Sequence, residues 1–247
     1  LNGLMAESAD VRVGIRKFLV MAHLQREKQD DVLVEKCPAQ LNSGEICVQQ
    51  IDYGNNENFA YEAARQRMMG VLDLRQLPVE HSGQYQIFDH YCRRWQGEDY
   101  FVRLTGDKTS VPGPMKIVSS RVMNCEHSWP QSKFVAKKGS HEFIRQKTDL
   151  HHIFSTDTKA NADRSNYEFA EVNPAGAQIP KCEGMQWSDH ADVSGDVSSG
   201  GMLGSAIPID GKKGQADKAF EPPKGFKGQI ARALFYFSVR YNAGMSS

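Results

Sequence analysis

Glu126 and His127 stand side by side in MNCEHSWPQS (123–132), and Asn161 and Arg164 follow about 35 residues later in KTDLHHIFSTDTKANADRSNYEF (147–169). A carboxylate and a carboxamide are hard oxygen donors, suited to Mg²⁺, which takes one or two protein oxygens and keeps waters for a substrate phosphate. Histidine ionises near neutral pH and can accept a proton from water. Together these side chains are the parts for metal-assisted hydrolysis of a phosphodiester. Spacing alone leaves a second reading open, in which Glu126 and His127 form a surface pair or a satisfied core pair. Neighbours on a strand point to opposite faces, so at most one of His151 and His152 shares a cavity with His127. A thiol hydrolase built on Cys125 and His127 is disfavoured. An i, i+2 pair lies about 6–7 Å apart, against the ~2.6–3.2 Å that a nucleophile and its base require, and nothing supplies an oxyanion hole.

These side chains need a strand, a second strand and a short helix to hold them. Ile117, Val118, Val122 and Met123 predict a strand over 116–124 that leads into Glu126 and His127, and 149–154 reads as a second extended segment. Residues 155–157 offer caps for a helix over 157–166. On a regular strand Glu126 and His127 would face apart, so the strand is expected to end or bulge there. Periodicity predicts helices over 10–28 and 58–75, and a C-terminal helix within 220–243 whose Phe226, Ile230, Leu234, Phe237 and Tyr241 share one face. That helix is preceded by Pro222 and Pro223 and followed by Gly244. A short strand is expected at 46–50, segment 85–94 is ambiguous between helix and strand, and 188–215, rich in Gly, Ser and Asp, reads as a long loop.

Composition narrows the class. With 247 residues, 40 % hydrophobic and 24 % charged, the chain matches a globular protein that can bury a core. Its longest uncharged apolar runs, 18–22 and 233–237, fall far short of the roughly 20 residues of a membrane span. Thirty basic residues balance thirty acidic ones, yet residues 116–166 hold nine basic against five acidic and 211–240 seven against two. Two locally basic segments on a neutral chain suit a phosphate backbone as partner. The five cysteines show no CxxC pair, which argues against structural zinc. Cys37 and Cys47 flank a turn-rich segment that could close as a local disulfide, and an odd count leaves one thiol free in a monomer.

The strings MNCEHSWPQS, DLHHIFSTDTKANADRSNYEF, KCEG (181–184) and FEPPKGFKGQIARALFYFSVRY (220–241) resemble, in this order, the endonuclease I family of bacterial periplasmic and extracellular nucleases, of the His-Me finger (ββα-metal) class. The resemblance covers roughly 60–241 and is densest at 115–169 and 220–241, with nothing family-like in 1–50 or 188–215. It implies one α+β nuclease domain over 1–247 with its ββα-metal core at 115–169. It also implies His127 as general base, Glu126 and Asn161 as ligands of one Mg²⁺ ion in a site open to Mn²⁺ or Ca²⁺, and Arg164 and Lys133 near substrate phosphate. The implied activity is non-specific endonuclease cleavage of DNA and RNA giving 5′-phosphate ends, by a secreted or periplasmic monomer with no membrane partner. The alternative is a catalytically silent nucleic-acid-binding protein on the same fold. Cys125, Glu168 and Ala170 depart from the pattern, and Cys125 beside Glu126 raises the expectation of altered metal preference or sensitivity to oxidation. An acidic limb near pH 6–7 is expected from the ordinary titration of His127.

Overall fold

The computed structural model describes residues 57–77, 84–180, 182, 201–208 and 218–244, and within them helices and small sheets alternate along the chain in an α+β fold. The expected helix 10–28, strand 46–50 and Cys37–Cys47 pairing lie outside the described residues, as does most of 188–215. Helix α1 (Glu57–Arg67) buries Ala60 and Ala64, one turn apart, and runs on into a wider helical turn at Met68–Leu72, close to the expected 58–75. Gly70 in that turn is required by packing: a Cβ would sit 2.6 Å from the backbone of Met115. Strands β1 (Leu74–Gln76), β2 (Tyr85–Asp89) and β3 (Arg94–Gly97) form an antiparallel sheet, so the ambiguous 85–94 contains a strand, followed by helix α2 (Glu98–Thr105).

The second sheet carries the candidate chemistry. Strands β4 (Met123–His127) and β5 (Ile153–Asp157) pair antiparallel in unbroken register, from Met123 opposite Asp157 to His127 opposite Ile153. Helix α4 (Thr158–Arg164) starts directly from β5, because Asp157 accepts hydrogen bonds from Lys159 N and Ala160 N, each at 2.9 Å. Between the strands, helix α3 (His141–Thr148) is capped by Ser140. Of the strand expected over 116–124 only 123–124 form, as the start of β4; residues 116–119 are irregular and 120–122 turn, with Val122 N and Met123 N both donating to Ser119 O at 3.0 Å. Their valines are nonetheless buried, so the apolar spacing reported burial rather than pairing. Residues 149–152 likewise turn before β5 begins.

The third sheet joins distant segments: β6 (Glu168–Phe169) lies beside β8 (Ala219–Glu221), which pairs with β7 (Met202–Gly204). Strand β7 falls inside the span read as loop. At three residues it is too short to show a period of two. Helix α5 (Lys224–Tyr241) follows Pro223 and ends at Asn242 in the left-handed region, two residues before the expected glycine. Its Phe226, Ile230 and Phe237 are buried as the spacing predicted. A disulfide joins Cys92 to Cys182 across 90 residues of sequence, and Cys125 is the free cysteine among the described residues.

Helix α5 supplies a test of this packing. Phe226 is fully buried and Phe235, on the same helix, is 44 % exposed. Phe226→Ala should lower unfolding free energy by about 3–5 kcal/mol, and Phe235→Ala by under ~0.5 kcal/mol, both read by urea denaturation.

Candidate active site

Strand alternation sorts the candidate residues onto two sides of β4. The strand ends at His127, one of the two outcomes expected, and does so without a bulge, so Glu126 and His127 leave it on opposite faces. Glu126 is 1 % exposed and lies 2.7 Å from the Nη1 of Arg164, itself 2 % exposed. That contact is ionic without being a hydrogen bond. The two Nη1 hydrogens go to His127 O at 3.3 Å and Ser165 O at 3.1 Å, while Nη2 donates to Ser128 O at 3.1 Å. Glu126 Oε1 is therefore buried with no hydrogen-bond donor among the described residues. Burial pushes its carboxyl up to about 7 despite the opposing pull of Arg164.

Asn161 comes to the same strand from α4. Its Nδ2 donates to Asn124 Oδ1 at 2.7 Å and to Cys125 O at 3.2 Å, which commits the nitrogen and leaves the amide oxygen as a ligand atom. Asn124 and Glu126 share a face of β4, being two residues apart. A carboxylate on the strand and a carboxamide brought to the same strand face by α4 are the donor types a hard divalent cation takes, with Arg164 already beside the carboxylate.

His127 occupies the other side. Its Nε2 lies 2.9 Å from Lys147 O, and a carbonyl only accepts, so Nε2 carries the proton and Nδ1 holds the lone pair. Gln131 Nε2 donates to that Nδ1 at 3.3 Å. Tyr61 stacks on the imidazole at 5.8 Å, Phe134 and His152 pack edge-on or tilted against it, and the ring is 6 % exposed. Burial first, and then His152, lower its pKa to about 3, so the ring is neutral at working pH.

The remaining expectations divide. His152 shares the His127 cavity, with Nε2 donating to Gln146 O at 2.6 Å, whereas His151 is exposed and bonds Asp149 Oδ1. Lys133 is on the surface, paired with Glu168 at 2.9 Å. Arg164 is inside, braced between Glu126 and the end of β4, and not open to a phosphate. Cys125 faces away from Glu126, toward Tyr61, and burial pushes its thiol up to about 11. It is thus no nucleophile, and the expected influence on a metal held by Glu126 loses its geometric basis. Sequence reasoning missed Tyr61 and Gln131, which touch the imidazole, and Tyr91, whose buried side chain acts on the Glu126 carboxyl. Of these only Gln131, four residues after the histidine, carried a positional signal.

A second cluster, Asp89, Cys92 and Asp157, brings ligand-type atoms within 4.8 Å of one another, but each is committed elsewhere. Cys92 is in the disulfide, Asp157 caps α4, and Asp89 Oδ1 accepts from the backbone N of Tyr91, Cys92 and Asp157. Its work is to clamp the end of β2 to the start of α4.

Residues 80–247 match the sequence profile of Endonuclease I. The chain belongs to the endonuclease I family. It is 31 % identical over 107 residues to an extracellular deoxyribonuclease of Aeromonas hydrophila, covering 43 % of this chain and 35 % of that protein. With an Endonuclease-1 of Buchnera aphidicola subsp. Acyrthosiphon pisum it shares 28 % identity over 100 residues, 40 % of this chain and 29 % of the other. An extracellular ribonuclease of Bacillus amyloliquefaciens is 28 % identical over 123 residues, 49 % of this chain and 30 % of its own. The chain spans about a third of the length of these relatives. No helix among the described residues is long and apolar enough to cross a membrane.

The buried ion pair of this endonuclease I family member can be tested by stability. Arg164→Met leaves Glu126 buried without a counter-charge and should cost about 3–5 kcal/mol. Glu126 folds with its pKa above the ordinary 4.5, and removing Arg164 raises it further. The cost of the lost charge should then be small up to about pH 7, where the carboxyl is protonated in both folded proteins, and grow above it as the parent ionises and the variant resists. Urea unfolding at pH 4.5 and pH 8 should show that difference, and equal losses at both would contradict the assignment.

Proposed function

We propose that this protein is a metal-dependent endonuclease that hydrolyses the phosphodiester bonds of DNA and RNA without sequence preference, as one nuclease domain working as a secreted or periplasmic monomer. The observation that supports it most directly is Glu126, a buried carboxyl compensated by the Arg164 charge at 2.7 Å but without a hydrogen bond to its Oε1, on the strand that ends in a neutral imidazole. The relatives named above, two nucleases of DNA or RNA that are called extracellular and one called an endonuclease, favour the same reading.

In this reading Glu126 and Asn161 hold one divalent cation, Mg²⁺ by the hardness of its ligands, with Mn²⁺ or Ca²⁺ able to occupy the same site. Such a cation, when bound, polarises a non-bridging phosphate oxygen and stabilises the departing 3′ oxygen, leaving 5′-phosphate ends. His127 takes the proton of the attacking water at Nδ1, the nitrogen that carries the lone pair, while Lys147 O fixes the tautomer through Nε2. Gln131 must leave Nδ1 for that water to enter. Arg164 holds Glu126 and the strand end in place; its burial makes it a positioning residue, and exposed lysines such as Lys137 and Lys138 are left to meet the phosphate backbone.

Three outcomes are expected. His127→Ala should lower the single-turnover cleavage rate by about 10² to 10⁴ while DNA binding is kept, since no ligand is removed; a rate within a few-fold of the parent would defeat the assignment. Glu126→Ala and Asn161→Ala should each weaken Mg²⁺ binding in calorimetric titration, and excess Mg²⁺ should partly restore cleavage. Because burial holds His127 down to about 3, the base is already neutral from pH 5 to 9. At saturating Mg²⁺, kcat/KM should therefore lack the acidic limb near 6–7 that an ordinary histidine would give. A limb in that range would show that the imidazole titrates as if in water.

A further inference from the structure

The outer face of the β1–β2–β3 sheet carries a row of flat groups that the chemistry on β4 does not use. Strand register puts Arg75, Gln86 and Gly97 on one rung and Phe88 and Trp95 on the next, all on the same face. The opposite face points inward with Ile87, Asp89 and Gln96, each buried. Arg75 Cζ lies 4.1 Å from the centroid of the Trp95 ring, and its Nε and Nη2 donate to Gln86 Oε1 at 3.1 and 2.7 Å. Trp95 packs on Phe88 with ring centroids 5.1 Å apart, and Arg93 Cζ lies 5.0 Å from the centroid of the Phe88 ring. The row thus runs guanidinium, indole, phenyl, guanidinium, with Arg75 exposed and the other three half-buried. At Gly97 beside Trp95 a Cβ would meet its nearest neighbours, the Gln86 side chain and Tyr85 O, at ordinary contact distances of 3.7–3.9 Å.

The described contacts of Arg75 on this face are the Trp95 ring and the Gln86 amide, and those of Arg93 are the Phe88 ring and Gly225 at the start of α5; the strand residues of this face include no carboxylate, and Asp73 beside β1 is committed to His90 and Ser155 N. Planar cations alternating with π-faces match a ligand that presents planar rings and negative charge together. A nucleic-acid duplex offers the phosphates but keeps its bases stacked inside, whereas an unpaired strand offers both. The sheet is fixed to the β4–β5 body through His90 N, which donates to Ser155 O at 3.0 Å, so a strand held there is held by the same rigid unit.

We propose that this face is a second nucleic-acid contact of the chain, taking single-stranded DNA or RNA by stacking bases against the Arg75–Trp95–Phe88–Arg93 row while the two arginines meet its phosphates. The proposal rests on the nuclease reading above and adds to it a preferred form of substrate, an unpaired strand. The test uses the full chain carrying His127→Ala, so that nothing is cleaved, and measures by fluorescence anisotropy the affinity for an oligothymidylate of about 12 nucleotides and for a duplex of the same length. Adding Trp95→Ala should weaken single-strand binding roughly 10-fold and leave duplex binding within about two-fold. Arg75→Lys, an exposed change that keeps the charge and loses the plane, should weaken single-strand binding in the same direction. It also decides the matter if Trp95→Ala does not fold. Unchanged single-strand affinity in these variants, or equal loss for single strand and duplex, would overturn the proposal. If the His127→Ala parent binds neither probe, the nuclease reading fails and this inference with it.

Discussion

Everything around β4 depends on the burial of one ion pair. Glu126 and Arg164 are both almost fully excluded from water, and two charges in that position are tolerable only when paired and hydrogen-bonded. The guanidinium meets this demand in a particular way, giving its Nη hydrogens to His127 O, Ser128 O and Ser165 O while it neutralises Glu126 only by proximity. One side chain therefore fastens the end of helix α4 to the end of strand β4 and leaves a carboxylate oxygen without a donor. Asn161 sits one helical turn before Arg164 and is held to the same strand through its amide nitrogen. The proposed ligand pair is thus set by how α4 docks, and α4 docks by way of Asp157, which caps it, and Asp89, which holds Asp157 N.

The division of labour across the strand follows from the alternation of side chains. Putting Glu126 and His127 next to each other in sequence sends them to opposite sides, into environments that move their pKa values in opposite directions, Glu126 up and His127 down. Burial favours the neutral form of each. For the imidazole that is the form that accepts a proton; for the carboxyl it is the wrong form for a ligand, and a cation on that side is what would hold it ionised. In the proposed reading, the desolvation that costs stability at Glu126 is what a bound cation would offset.

What could be read from the sequence was whatever depended on local chemistry. The cap at Asp157, the helix after it and the single aromatic face of α5 follow from side chains within a few residues of one another, and the structure has them. The EH pair and the Asn161 and Arg164 positions were legible through motif resemblance, which also gave the α+β class. What failed depended on tertiary context. The apolar spacing of 116–122 signals burial, and burial is achieved there by turns around Ser119 and not by a ladder. The disulfide partner of Cys92 lies 90 residues away, and nothing local marks it. The motif resemblance implies Arg164 near substrate phosphate; only the packing shows that its charge is turned inward.

The proposed oxygen-ligand metal site on β4, with neutral His127 as base, makes phosphodiester hydrolysis depend on a divalent ion. The most direct measurement is nicking of supercoiled plasmid by the purified chain in Mg²⁺, in excess chelator, and after Mg²⁺ is restored. The account predicts conversion to open-circular and linear forms with Mg²⁺, none in chelator, and recovery on restoring the ion. Nicking at the same rate in chelator, or binding of the plasmid without nicking under all three conditions, would contradict it.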